Sequence, residues 1–306
     1  MKKIWFLFLS VLFVVGCSGN EGVGEADSDI PLVVTTTGQV ADAVKRIGGE
    51  HVKVKSLMGP GVDPHLYKAT QGDLQLLEDA DIIFYNGLEL EGKMSEIFEK
   101  MKKNKAVVAI GEALPKDRIL EDQDHPGLYD PHIWFDIQLW KLASEEITKT
   151  LAIELKTHKD DFTNNEALFF KELDELQEWT NGRMSEIPES QRVLVTAHDA
   201  FHYFGNSNGL DVRGLQGLST DSEYGIKDIQ NIVDFLVEQN IKAVFIESSV
   251  SDKAMNSVIE GAKEKGHTIQ IGGELFSDAM GSEGTEEGTY IGMYKHNVNT
   301  IVDSLK

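Results

Sequence analysis

The chain has 306 residues, 41% of them apolar and 26% charged, and 51 acidic side chains against 29 basic ones give a formal charge of -22. It is long enough for one large domain or two medium ones, each with a real core. So acidic a balance excludes nucleic acid, which demands Lys/Arg patches, and argues against docking on anionic lipid through the protein surface.

Lys2 and Lys3 precede an apolar run, Ile4 to Val15, broken only by Ser10. The run is shorter than the ~20 residues a transmembrane helix needs, and it reads as the apolar part of a signal peptide. It ends in Val14-Val15-Gly16-Cys17, which resembles the lipobox of bacterial lipoproteins, and Cys17 is the only cysteine, so no intramolecular disulfide can form. The resemblance implies a signal peptide over 1–16, an acylated Cys17 and a chain held on the extracytoplasmic face of the cell membrane. Stable anchoring takes more than one acyl chain. Residues 17–30, rich in Gly, Ser and acids, form a tether.

Order begins at Pro31. Leu32 to Thr36 is a β-rich run, and Val40 to Ile47 has helical spacing that stops at Gly48-Gly49. Val52 to Met58 alternates as a strand does, Thr70 caps a short helix through Leu77, and Asp81 to Tyr85 is a buried strand. Leu90, Met94, Ile97, Phe98 and Met101 share one helix face, with Gly92 weakening its first turn, and Ala106 to Ile110 is another strand. Phe162 to Met184 is one long helical pattern, with Thr163 and Asn164 as candidate caps and Pro188 as its end. At 1.5 Å per residue its ~23 residues span ~35 Å, enough to act as a rod between two lobes. Strands follow at Val193 to Thr196, Leu210 to Leu215, Ala243 to Ile246 and Thr268 to Ile271, the last ending in a Gly-Gly turn. Helical faces lie at Ile229 to Leu236 and Ile291 to Leu305. The rhythm predicts an α/β fold of two lobes, 31–157 and 188–306, each a mostly parallel sheet flanked by helices, joined by a rigid linking helix over 158–187.

The chain contains no P-loop, GxGxxG, HExxH or CxxC pattern. Instead, one tripeptide occurs twice, as Asp63-Pro64-His65 and Asp130-Pro131-His132. Asp can cap backbone N–H groups and Pro fixes φ at a first helical position, which would hold each histidine at a helix top, at the strand-end edge where α/β proteins bind ligands. His198 follows the Val193 to Thr196 strand, and Asp278 follows the strand ending at Ile271. Taken singly, such a histidine is an ordinary loop residue and Asp278 an ordinary helix cap. Taken together, they are two groups in each half that can meet in a cleft, and mixed nitrogen and oxygen ligands suit Mn²⁺, Fe²⁺ or Zn²⁺.

The segments Gly61-Val62-Asp63-Pro64-His65-Leu66-Tyr67, Asp130-Pro131-His132-Ile133-Trp134-Phe135-Asp136, Thr196-Ala197-His198-Asp199-Ala200-Phe201 and Leu275-Phe276-Ser277-Asp278 resemble, in type and order, the ligand motifs of manganese- and zinc-binding lipoproteins of ABC transporters, the TroA-like solute-binding proteins. The resemblance implies His65 and His132 from the first lobe and His198 and Asp278 from the second as metal ligands, an ABC transporter permease as partner, and no catalysis. Three further residues are candidates to steady these ligands: Asp136, four residues beyond His132; Glu247, at the end of a strand; and His202, which could share a helix face with His198. Zinc-specific relatives carry a long His-rich loop before the second motif. Here that stretch holds only His125, which shifts the reading from zinc to manganese. His51, His158, His267 and His296 read as surface residues. A monomer delivering a divalent metal to an importer is expected. A metallohydrolase, which needs an open coordination position and a base, and a surface adhesin with a structural metal are the rivals.

Overall fold

The apolar runs of the first half form parallel strands in the computed structural model, which describes residues 30–122 and 125–306. The expected signal peptide and acylated Cys17 therefore lie outside the described residues. The strands are β1 (Leu32–Thr35), β2 (Lys53–Ser56), β3 (Ile82–Tyr85) and β4 (Ala106–Ala109), in the order β2-β1-β3-β4. Consecutive residues point to opposite faces, and both faces are covered. Val33, Ile82 and Phe84 meet α1 (Gly38–Gly48) and α4 (Ile137–Glu154), whereas Val34, Ile83 and Val107 meet α2 (Gln71–Asp79) and α3 (Ser95–Met101). That two-sided burial is why these strands read as unbroken apolar runs.

The second half repeats the plan. Strands β5 (Val193–His198) and β6 (Asp211–Gln216) pair in parallel, as do β7 (Ala243–Glu247) and β8 (Gln270–Leu275), and β5 lies alongside β7. Side by side, the two pairs give the order β6-β5-β7-β8, that of the first half, but they form two two-stranded sheets because no hydrogen-bonded ladder joins β5 to β7. Helices α7 (Ile226–Glu238) and α8 (Lys253–Glu264) cover one face through Val195 and Val244, and α6 (His202–Asn208) and α9 (Tyr290–Leu305) cover the other through Leu194 and Phe245. In both halves the order reverses beside the first strand, which in parallel α/β folds is where ligands bind at the strands' carboxyl ends.

The long helix α5 (Lys159–Met184) has 26 residues, about 39 Å of rise. It is less a free rod than a packed spine: it lies against α1, α4 and α9, and its buried Phe162, Phe169, Leu173 and Leu176 belong to one apolar cluster running from Val33 to Leu305. Four local expectations need correction. α5 starts before Phe162, with His158 at its cap position, and the Thr163 hydroxyl donates to the Lys159 carbonyl inside the helix. No helix follows His65 directly; α2 starts only after Thr70, whose side chain forms the expected cap. The helices α4 and α8 were not anticipated. Finally, Gly272-Gly273 is no turn but lies within β8, where a Cβ at Gly272 would strike the Phe245 ring and one at Gly273 (φ +149°) would strike Thr300 of α9. Glycine lets the strand bulge opposite Val244 and Phe245 and lets α9 pack close.

Candidate metal centre

Each of the four expected ligands is delivered by a segment pinned on both sides. Gly61 (φ +70°) turns the chain after β2, and Asp63 Oδ1 then accepts the His65 backbone N–H at 2.9 Å while its Oδ2 accepts the Thr220 hydroxyl at 2.6 Å. The second tripeptide uses its aspartate differently. Asp130 Oδ1 accepts the His132 backbone N–H at 2.9 Å and stands 2.7 Å from His132 Nδ1. Around it, irregular backbone finds side-chain partners: the Asn86 amide donates to the Pro131 carbonyl, and the Tyr203, Tyr290 and Tyr294 hydroxyls donate to the carbonyls of Asp130, Trp134 and Phe135. Asn86 is itself held by Glu91, a buried carboxylate that accepts the N–H groups of Asn86 and Gly87 and the Thr36 hydroxyl.

His198 is the last residue of β5, and Glu247 ends the neighbouring β7. Glu247 Oε1 accepts the His198 backbone N–H at 2.9 Å, and Oε2 stands 2.6 Å from Nδ1. Asp278 follows β8 on a segment clamped by Asn297, which exchanges two hydrogen bonds with the Phe276 backbone, and by Trp134 and Gln39, which both donate to the Ser277 carbonyl.

These segments converge. Asp278 Oδ1 lies 3.4 Å from His132 Nε2, and Oδ2 lies 3.3 Å from His198 Nε2 and 3.9 Å from His65 Nε2. One donor atom from each residue falls within 4.8 Å of every other. Two donors bound ~2.1 Å from one tetrahedrally disposed ion stand ~3.4 Å apart, so the spacing is that of a coordination shell. The three Nε2 atoms and both Asp278 oxygens are buried and have no hydrogen-bond partner among the described residues. Native proteins rarely leave such atoms orphaned. Five together, aimed at one point, fit a cation. The site is closed to solvent: none of the four residues is more than 5% exposed.

The electrostatics divide the imidazoles. Burial drives His65 down to about 3, against the pull of Asp278. Burial also opposes charge on His132, but Asp130 and Asp278 outweigh it and raise the group to about 9. His198 goes well above its ordinary value for the same reason, with Glu247 and Asp278 overriding desolvation. Asp278, though desolvated, is held well below the usual carboxylate range by His198, His132 and His65.

The residues expected to steady the ligands fare unequally. Glu247 touches His198, as described. Asp136 does not: its Oδ1 caps α4 by accepting the N–H groups of Gln138 and Leu139, and its Oδ2 accepts the Ser207 hydroxyl. His202 shares no helix with His198; it opens α6, with Nδ1 3.6 Å from Asp130 Oδ2 and Nε2 3.5 Å from Asp199 Oδ1. Asp130 was expected only as a backbone cap, and its contact with the His132 ring was not foreseen. An Asp two residues before a buried histidine was the available signal.

Two matching parallel α/β halves with a buried three-imidazole, one-carboxylate group between them define a class: an α/β protein with the donor set of a divalent transition metal. The chain belongs to the zinc-uptake complex component A periplasmic family (ZnuA), which it matches over residues 33–304. It is 52% identical over 304 residues to the manganese-binding lipoprotein MntA of Bacillus subtilis (strain 168), covering 98% of this chain and 99% of that protein. It is 46% identical over 305 residues to the zinc-binding protein TroA of Treponema pallidum (strain Nichols), covering 99% of this chain and 98% of that one. A solved structure described as the periplasmic zinc-binding protein TroA from Treponema pallidum superposes with a TM-score of 0.87, over 90% of this chain and 99% of the other.

Proposed function

We propose that the protein is an extracytoplasmic solute-binding lipoprotein that captures Mn²⁺ through His65, His132, His198 and Asp278 and delivers it to an ABC importer. The observation that carries the reading is the set of five orphaned donor atoms, both Asp278 oxygens included. Three imidazole nitrogens and a bidentate carboxylate make five donors. That exceeds the tetrahedral set that Zn²⁺ favours and suits Mn²⁺. The relatives named for manganese and for zinc are similarly close, and the donor count supports manganese. Zinc is the second reading, favoured by the higher intrinsic affinity of Zn²⁺ for nitrogen ligands. Elemental analysis of protein purified without added metal, followed by Mn²⁺/Zn²⁺ competition, tests the choice. Manganese at one equivalent supports the proposal. Zinc alone, with no manganese retained at excess Mn²⁺, contradicts it.

Capture replaces the ion's water with three Nε2 atoms and the carboxylate. Asp130 pairs with His132 Nδ1 and Glu247 Oε2 stands beside His198 Nδ1, which favours a hydrogen on Nδ1 in each ring and leaves Nε2 to coordinate. Because the ligands are buried, exchange requires an opening motion. Among the contacts that join the halves near the site, the side-chain ties of Thr220 to Asp63 and of Lys93 to Asp221 (2.7 Å) are positioned to break when the permease takes the ion. The spans 31–157, 158–187 and 188–306 serve as the two lobes and their link in this reading. Anchoring is assigned to acyl chains on Cys17, and no helix among the described residues is long and apolar enough to cross a membrane. The protein acts as a monomer without catalysis. Glu247→Gln keeps the side-chain volume but removes the charge facing His198 Nδ1. It is expected to weaken metal binding about 10–100-fold, read by competition with a chelating dye, and unchanged affinity would show that Glu247 does not steady the ligand.

A further inference from the structure

A second histidine and carboxylate group lies outside the buried site and shares no residue with it. His51 ends the short turn after α1, while His158 and Asp161 sit at the start of α5. His51 Nε2 is 3.0 Å from Asp161 Oδ2, His158 Nδ1 is 3.9 Å from the same oxygen, and one donor atom from each of the three falls within 4.8 Å of the others. The two imidazoles stack at 3.8 Å, and both rest edge-on against the buried ring of Phe162. Exposure grades outward, with side chains 19% exposed at His51, 40% at His158 and 57% at Asp161. The group is therefore reachable from solvent yet built on a fixed floor.

We propose that His51, His158 and Asp161 form a second, surface site for a borderline divalent transition metal of the Zn²⁺ or Cu²⁺ type. Two nitrogens and one oxygen suit such ions better than Mn²⁺, and water completes the shell. The rings lie within 18° of parallel, so they cannot both point a lone pair at one ion as they stand. The more exposed His158 turns toward Asp161 on binding. That reorganisation, together with solvent exposure, makes the site weaker than the buried one. The ion would clip the turn after α1 to the first turn of α5, so occupancy stabilises the fold by mass action.

The test is a titration of Zn²⁺ into the full chain, followed by calorimetry, by imidazole proton–nitrogen correlation spectra and by thermal melting. The expected result is a first tight equivalent, then a second, weaker one that shifts the His51 and His158 resonances together and raises Tm further. H51Q/H158Q should lose the second equivalent and the additional Tm increase while keeping the first. A stoichiometry of one in the wild type, or a second equivalent that survives in H51Q/H158Q, overturns the proposal. Neither side chain is a ligand in the buried site, so failure here leaves the function proposed above intact.

Discussion

Asp278→Ala is expected to abolish metal capture at concentrations that saturate the wild type. The carboxylate is the only anion among the four proposed ligands, both its oxygens face the imidazole nitrogens, and it is 1% exposed. Removing one member of a buried charged group leaves its partners uncompensated at a cost of about 3–5 kcal/mol. That corresponds to a loss of affinity on the order of 10³-fold. Asp278→Asn keeps the volume and the hydrogen-bonded approach of Phe276 and Ser277, so it separates loss of the anion from disturbance of the fold. It should bind nearly as poorly as the alanine variant and keep the wild-type circular dichroism spectrum, although loss of the charge facing His132 and His198 lowers its metal-free Tm as well. Calorimetric titration checks both, and wild-type affinity in Asp278→Asn would remove the carboxylate from the ligand set.

Metal affinity should rise about a hundredfold per pH unit between roughly pH 6.5 and 8. His132, raised to about 9, and His198, raised well above the ordinary imidazole value, both carry a proton across that window in the metal-free protein. Each must give up the hydrogen on Nε2 to bind a cation, so two protons leave per ion. His65 is already neutral there, because burial holds it near 3, and it contributes none. Titrations in buffers of different ionisation enthalpy count the released protons directly, and a count of zero contradicts the assignment. The same shifts bear on the metal-free fold. A raised imidazole stabilises the folded state fully below its unfolded value of ~6.5, and for His132 that contribution is lost as pH rises through about 9. Mild acid therefore expels the metal while retaining this stabilisation, but His65, lowered to about 3 by burial, costs the fold stability as pH falls below its unfolded value, where only the unfolded chain takes up that proton.

Much of this was legible in the sequence, for identifiable reasons. Strands buried on both faces announce themselves as apolar runs, and α2 announced itself through Thr70, whose capping box the structure contains. A repeated Asp-Pro-His tripeptide and positions at or beyond strand ends, where the parallel fold concentrates functional groups, singled out the four ligand candidates, and the resemblance to the TroA-like motifs joined them into one set. What escaped was tertiary. The helix α4 buries Ser144, Thr148 and Thr150 along with its apolar residues, which blurs the helical period. In α8, Asn256, Ser257 and Gly261 lower the helix propensity of a short segment. Gly272-Gly273 carries a turn signal, yet the approach of Phe245 and Thr300 is what demands glycine there. The two Asp-Pro-His tripeptides are identical in sequence, but Asp63 meets Thr220 while Asp130 meets the His132 ring. Nothing local distinguishes them, because the difference lies in neighbours more than 70 residues away, such as Tyr203. His51 and His158 read as unrelated surface residues for the same reason: only the packing of α5 against α1 stacks them.

Manganese K-edge X-ray absorption on protein loaded with one equivalent of Mn²⁺ reports the ion's immediate surroundings. A shell of nitrogen and oxygen only, with the outer-ring scattering of three imidazoles and one imidazole fewer in His65→Ala, is what convergent donors from both halves of the chain predict. A spectrum of water and carboxylate oxygens without imidazole scattering would contradict it.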